Sequence, residues 1–345
     1  MSRESLTWLN QNTLIGFTAK RGTAWHYRAS QQGDEPNHYS GPIPVADVKR
    51  RLFHWEPVEG TLETSYLTSD GVTRLTDPSG KTIIRPDTGH ILGIFKRGFQ
   101  IHEYKRWLVE HVETILDDDL AIGSAGLLRN GAVAWVQVEL PDTCTTPEGI
   151  AFRPFLSAAT SLDGSLSSTY QTGAQLIVCD NTLSAALASN NAKRVKIKHS
   201  RNSLARVVDV RDALGVIHRA ADDFAAEVRQ LCQIDVSNAQ WTAFLNRHAP
   251  IPAERGPKRT NALTKRHALT RLWNDDERVS PWQGTAFGVL QAVNTFTHHD
   301  QTVRGAVRAE RNMHRMVKGE IDDLDLSTIR TLETALDRRI LARTA

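Results

Sequence analysis

The chain has only three cysteines, Cys144, Cys179 and Cys232, far apart and odd in number. That spacing excludes a disulfide framework and a CxxC metal or redox site, and it fits reduced thiols. No apolar run reaches the roughly 20 residues a membrane helix needs. The opening MSRESLTWLNQNTL has no apolar signal-peptide core. A phosphate-cradling GxxxxGKS/T loop, an HExxH pair and a GxSxG nucleophile elbow are all missing. Charge of one sign is missing too, since 42 basic residues face 39 acidic ones, a net of +3. Bulk charge therefore selects no partner.

What is present is ordinary globular material. Of 345 residues, 40% are hydrophobic and 23% charged, enough to bury a sizeable core. Residues 1–60 read as an irregular segment, with Pro36, Gly41, Pro42 and Pro44 marking a loop and Val45 to Phe53 a short helix. Trp25-His26 reads as a packed aromatic–imidazole pair. From residue 61 the turn signals multiply. Asp70-Gly71 separates strands at 64–69 and 72–76. Ser79-Gly80 and Asp87-Thr88-Gly89 mark two further turns. Asn130-Gly131 joins 122–128 to 132–140, and Asp163-Gly164 joins 152–160 to 166–170. One amphipathic helix interrupts them, with Tyr104, Leu108, Val112 and Ile115 on one face. Asp117-Asp118-Asp119 after it reads as a solvated loop, because hard-metal sites need oxygens converging from several directions.

The pattern changes at QLIVCDNTLSAAL, residues 175–187. An apolar strand ending at Cys179 gives way to Asp180-Asn181-Thr182, which can cap a helix beginning at Leu183. Cys179, closing an apolar strand, reads as a small core hydrophobe. Beyond it, Val207, Val210, Leu214, Ile217, Ala221, Phe224, Val228 and Leu231 form a heptad seam. The seam fits packing within the protomer or a homo-oligomer contact over 207–231. Helices follow at 262–273, 284–297 and 301–318, and one at 328–343 capped by Asp325-Leu326-Ser327. The expected fold is α+β: an antiparallel sheet with one inserted helix, then a mainly helical C-terminal region. The expected divisions are 1–60, 61–190 and 191–345.

Several segments together resemble a phage/plasmid-like family, domain of unknown function 932. They are Trp25-His26, Arg85 to Gly93 (RPDTGHILG), Ala125 to Gly131 (AGLLRNG), Ser161 to Ser165 (SLDGS), Val178 to Leu183 (VCDNTL) and Gly284 to Val293 (GTAFGVLQAV). The resemblance runs from about residue 20 to 320. One departure is Leu176, where the family pattern has an arginine. The resemblance implies a setting among phages, prophages and plasmids of bacteria, and a cytoplasmic protein. It implies no activity, no cofactor and no catalytic residue.

The positive charge is concentrated in three places. Residues 193–206 hold Lys193, Arg194, Lys196, Lys198, Arg201 and Arg206 with no acid. Residues 253–271 hold Arg255, Lys258, Arg259, Lys265, Arg266 and Arg271 against Glu254. Arg304, Arg308, Arg311, Arg315 and Lys318 are spaced 4, 3, 4, 3, one face of a helix. If these converge they form a groove able to neutralise phosphates. The candidate nucleic-acid-binding residues are Lys196, Lys198, Arg201, Arg259, Arg266, Arg304, Arg308, Arg311 and Arg315. No catalytic residue, metal ligand or cofactor is expected. Trp241, Phe244, Trp273 and Trp282 near the second cluster favour single-stranded DNA as the partner, through base stacking. The first reading is a nucleic-acid-binding accessory protein acting in recombination or replication, by single-strand binding or annealing. The second is a protein-interaction factor that modulates host machinery. The third is an enzyme with a pocket near Trp25-His26, Asp163 and the Cys179–Asn181 corner. His298-His299-Asp300 lacks the further ligands of a metal site and reads as an exposed helix end.

Overall fold

In the computed structural model the described residues are 6–22, 35–113, 116, 120–140, 142–176, 182–183, 194–197, 214–303 and 308–340. In chain order the first elements are α1 (Leu6–Gln11), β1 (Thr13–Ile15), α2 (Thr18–Arg21), α3 (Val45–Arg51), β2 (Val58–Thr68), β3 (Gly71–Arg85) and β4 (His90–Lys96). A π-helical turn, Lys105–Glu110, runs into α4 (His111–Glu113). It is followed by β5 (Ala121–Leu128), β6 (Val133–Glu139), β7 (Cys144–Thr145), β8 (Ala151–Ser161), β9 (Ser168–Leu176), β10 (Thr182–Leu183) and β11 (Arg194–Ile197). The rest is helical: α5 (Leu214–Cys232), α6 (Asn238–His248), α7 (Pro257–Asp275), α8 (Ala286–Thr295), a second π turn Phe296–Asp300, α9 (Arg308–Lys318) and α10 (Glu320–Leu336). The fold is α+β, with its strands in the N-terminal half and a mainly helical C-terminal half. No described helix is long and apolar enough to cross a membrane.

The chain divides into two compact units. One comprises Met1–Pro141, Leu156–Gln171 and Arg194–Leu214; the other comprises Asp142–Phe155, Thr172–Lys193 and Gly215–Ala345. The main sheet has the order β1-β5-β6-β8-β9-β10, with β7 also on β8 and β11 also on β9; β2-β3-β4 form a separate sheet. β6 alternates in sequence, yet all seven of its residues are buried, Gln137 and Glu139 included. The Gln137 amide donates to the Glu139 carboxylate at 2.9 Å, one of the bonds that make such burial tolerable. Gly126 stands opposite Trp135, and a Cβ there would lie 2.2 Å from the indole, so the small residue is what admits the large one.

In the first unit a buried cation, Arg85, joins two turns, and Arg129 ties in a third. Arg85 is 7% exposed. Its Nε and Nη2 donate to the Asp87 carboxylate at 2.8 and 2.9 Å, and Nη1 donates to the Asn130 carbonyl at 3.2 Å. The guanidinium lies 4.7 Å over the Trp55 ring. The hydrogen bonds from Arg85 hold the Asp87 carboxyl below its usual range. The β5–β6 turn carries left-handed backbone at Arg129, Asn130 and Gly131 (φ 56°, 57° and 93°). A Cβ on Gly131 would lie 2.8 Å from Arg85 Nη1. The Tyr104 hydroxyl donates to the Gly131 carbonyl at 2.7 Å, and Arg129 pairs with Asp163 at 2.8 Å.

The second unit is built on one apolar cluster that includes Phe152, Phe224, Leu231, Trp241, Phe287 and Ile329. Ile217, Phe224, Val228 and Leu231 of the heptad seam are buried, and the last three belong to this cluster, so that stretch packs within the protomer. Ser237 and Gln240 form a capping box at the start of α6. Gly284 adopts φ 83° before Thr285, whose hydroxyl caps α8 by accepting from Gly288 N at 3.1 Å. A Cβ on Gly288 would lie 2.2 Å from the Trp282 carbonyl, which explains the small residue there.

Several boundaries differ from expectation. Ser79-Gly80 makes no turn: β3 runs through it, with a register shift opposite Thr61/Leu62 that absorbs the extra residues. Thr182–Leu183 does not open a helix. It pairs antiparallel with Gln175 and Ala174 of β9, and strand Arg194–Ile197 pairs with the same β9, so the sheet extends past residue 182. The amphipathic helix expected through Tyr104, Leu108 and Val112 is interrupted by the π turn, which buries Trp107, Leu108 and Val109 in succession. α7 starts earlier, because Pro257 occupies a first-turn position where its missing N–H costs nothing. The last helix starts at Glu320 after Gly319 (φ 71°), and Asp325 lies inside it, buried and accepting from Asn294 at 2.7 Å. Trp25-His26, Asp117–Asp119, Cys179 and Asn181 fall outside the described residues.

Replacing Arg85 with glutamine should remove the paired guanidinium and leave Asp87 and the Asn130 carbonyl short of donors. The expected loss is about 1.5–3 kcal/mol, the range for hydrogen bonds to charged groups. Urea unfolding should read it as a lower midpoint with an unchanged slope.

Candidate functional site

Two of the three basic segments meet in the second unit, at the π turn Phe296–Asp300 and the residue after it. From α7, Lys265 Nζ lies 5.9 Å from the centroid of the Phe296 ring, and Arg271 pairs with Asp300. From α9, Arg311 donates to the Thr297 carbonyl, and to Gln301 Oε1 at 3.3 Å. Arg308 donates to the Gln301 carbonyl at 3.4 Å, and Asn312 Nδ2 to the His298 carbonyl at 3.0 Å. A π turn leaves carbonyls out of the α-helical ladder. Here guanidinium and amide donors satisfy them, so the arginine face of α9 is seated by the backbone it touches.

The electrostatics of this site are cationic. Arg311 is pushed down to about 10, first by its burial and then by Arg315 and Arg308. His298, 5% exposed, falls to about 3 through burial and then His299, Arg311 and Arg315. His248, stacked on Phe244 at 5.1 Å, falls to about 4 through burial and Lys265. Burial lowers Lys265 as well. The acids paired here are Asp300 with Arg271 and Glu320 with Arg315 at 3.5 Å. Arg311 Nε and Arg315 Nη1 are buried and make no hydrogen bond among the described residues. Such a cluster of imperfectly paired donors is suited to an anion with several acceptor oxygens.

The expected binding residues divide accordingly. Arg308, Arg311 and Arg315 stand together at this site. Arg259 and Arg266 are engaged elsewhere: Arg259 donates to the Pro252 carbonyl at 2.7 Å, and Arg266 to Asn246 Oδ1 of α6 at 2.8 Å. Lys196 lies in β11, while Lys198, Arg201 and Arg304 are outside the described residues. Lys265, Arg271 and His298 belong to the site although sequence reasoning did not assign them to it. Lys265 and Arg271 are visible in the basic composition of 253–271 and His298 in the His298-His299-Asp300 run; the π turn that gathers them leaves no periodicity.

Other candidate chemistry does not assemble. Asp163 is taken up by Arg129 and by its turn, accepting from Ser165 N at 2.8 Å. His102 Nδ1 and Ser168 Oγ lie 2.6 Å apart, but exposures of 1% and 0% make them a core polar pair. Burial raises the Cys144 thiol and pushes Cys232 up to about 12, so neither is an activated nucleophile. Among the described residues, no group of three or more His, Cys, Asp or Glu could hold a metal ion.

The family described as "Domain of unknown function (DUF932)" matches residues 91–318. No curated protein and no solved structure matches the chain.

The depressed histidines set a pH dependence. As pH falls below the unfolded value of about 6.5, the unfolded chain takes up protons that folded His298 and His248 refuse, so stability drops. The expected fall is on the order of 1 kcal/mol per pH unit for each histidine between pH 6.5 and 5. This window lies above the titration of ordinary carboxylates. Urea midpoints measured across it should decline, and His298→Gln should flatten the decline.

Proposed function

This chain belongs to the DUF932 family, a membership that names no reaction, and we propose that it binds nucleic acid through the phosphate backbone at the Arg308–Arg311–Arg315 face. The observation that carries the reading is the gathering of Arg308 and Arg311 at Gln301 with Arg315 close by, and the buried Arg311 and Arg315 donors that make no hydrogen bond among the described residues. Phosphate oxygens are the acceptors that relieve such crowding, and guanidinium groups take them bidentately. The proposed role is that of a cytoplasmic accessory to recombination or replication, with single-stranded DNA as the first substrate to test.

The aromatic support for single strands is weaker than the sequence implied. Trp241, Phe244 and Trp273 are 5%, 0% and 1% exposed, so none is a stacking platform. Affinity should therefore follow phosphate number rather than base identity. The second reading, contact with another protein, is favoured by one observation: the apolar residues exposed on the β2–β3 ribbon.

Fluorescence anisotropy with labelled single-stranded and duplex oligonucleotides across a salt series tests the proposal. Log affinity should fall linearly with log salt, with a slope of about −0.7 per neutralised phosphate on single strands. Arg308→Gln with Arg315→Gln should weaken binding evenly across sequences and flatten the slope by about one to two units. Arg311 is left in place because its bonds to Thr297 and Gln301 also hold the π turn. Affinity no tighter than millimolar at low salt would defeat the proposal and favour the protein-contact reading.

A further inference from the structure

The arginine site has an inner part that its own bonds leave unsatisfied. Arg311 spends Nη1 on Gln301 Oε1 and Nη2 on the Thr297 carbonyl, and its buried Nε makes no hydrogen bond among the described residues. Arg315 follows one helical turn later, so the two side chains share a face of α9. Glu320 reaches Arg315 Nε at 3.5 Å, and the buried Nη1 has no acceptor among the described residues. From the π turn, His298 is 5% exposed, and its Nε2 is likewise buried and makes no hydrogen bond among the described residues. The three groups are neighbours: Arg311 and Arg315 both disfavour a charge on His298, and Arg315 disfavours the charge on Arg311.

A buried polar atom without a partner costs free energy, and three such atoms on neighbouring side chains call for an acceptor that serves them together. Two are guanidinium donors, and the neutral imidazole can add a third without adding charge. The surroundings are positive, so the acceptor is an anion. A phosphate inside a strand has two free oxygens between two esters. A terminal phosphate has one ester, three free oxygens and close to two negative charges at neutral pH. Three donors drawn back from the surface suit the terminal group. The side chain of Arg315 is still 30% exposed, which leaves the site an outer side. Arg308, half-buried and one turn before Arg311, stands there for the next phosphate of the strand.

We propose that Arg311, Arg315 and His298 form a socket for the terminal phosphate of a nucleic-acid strand, so that the chain engages a strand at its end. The proposal rests on the phosphate-backbone reading of the same face and narrows it. Arg308 meets internal phosphates, which every strand offers, whereas the socket takes an end only where that end carries a phosphate. A 5′ phosphate, a 3′ phosphate and free inorganic phosphate share this chemistry, and the measurement separates them.

Fluorescence anisotropy of the full chain tests the proposal. The probes are single-stranded oligonucleotides of one sequence with an internal fluorophore, carrying a 5′ phosphate, a 3′ phosphate or hydroxyls at both ends. One phosphorylated strand should bind about tenfold tighter than the hydroxyl-ended strand, the worth of one hydrogen bond to a charged group. The readout is that ratio rather than either affinity. Inorganic phosphate added at constant ionic strength should bring the ratio toward unity. Arg315→Lys keeps the positive charge but loses the planar fork of donors, and should also bring the ratio toward unity. His298→Leu should do the same, with the circular dichroism spectrum of each variant unchanged. A wild-type ratio of unity with strands still bound overturns the socket and leaves the phosphate-backbone reading standing. Failure of every strand to bind removes both. A ratio that survives Arg315→Lys and His298→Leu puts end recognition elsewhere in the chain and overturns the assignment. Inorganic phosphate that raises the thermal midpoint while the ratio stays at unity makes free phosphate the ligand and overturns it too.

Discussion

A guanidinium buried in a protein has to find acceptors for its donors, and in this chain Arg85 finds them in three directions. The Asp87 carboxylate takes two, the Asn130 carbonyl takes a third, and Trp55 covers the flat face. Those partners fix the β3–β4 turn and the left-handed β5–β6 turn against each other. Arg129 extends the arrangement to the Asp163 turn between β8 and β9. Burying the charge is tolerable only because every partner is in place, so the turns are held as a set rather than one by one.

The motifs that carry the family resemblance acquire a physical meaning from this. RPDTGH, the RNG of AGLLRNG, and SLDGS are the three turns so joined. GTAFG is a cap and a close approach of α8 to the Trp282 carbonyl. None of the four presents a reactive side chain. They are the positions where backbone geometry is demanding: left-handed residues, glycines under neighbouring atoms, and carboxylates that close turns.

The two units offer surfaces of opposite character. In the second unit, a π turn draws α7 and α9 together, with Arg308 and Arg311 on Gln301 and the buried His298 close to Arg311 and Arg315. Like charges in such a partly buried site repel with little screening. In the first unit, the β2–β3 ribbon leaves apolar side chains exposed on both of its faces, Tyr66 and Leu75 on one and Leu67 and Val72 on the other.

The sequence by itself determined the local architecture. Hairpins at Asp70-Gly71, Asn130-Gly131 and Asp163-Gly164, the α5 seam and the arginine period of α9 all follow from short-range rules: turn residues that tolerate unusual φ, and apolar or charged spacing that matches the strand or helix repeat. Tertiary structure decided the rest. It turned Thr182–Leu183 into a strand, because β9 offered a ladder that a capping pattern cannot foresee. It carried β3 through Ser79-Gly80, because a bulge absorbs residues that otherwise signal a turn. It split the basic residues, drawing Arg308, Arg311 and Arg315 to the Phe296–Gln301 segment while tying Arg259 and Arg266 to Pro252 and Asn246. Charge in a sequence records how many cations a segment carries. Which of them remain available depends on the carbonyls, carboxylates and amides that packing brings within reach, and those lie far away along the chain.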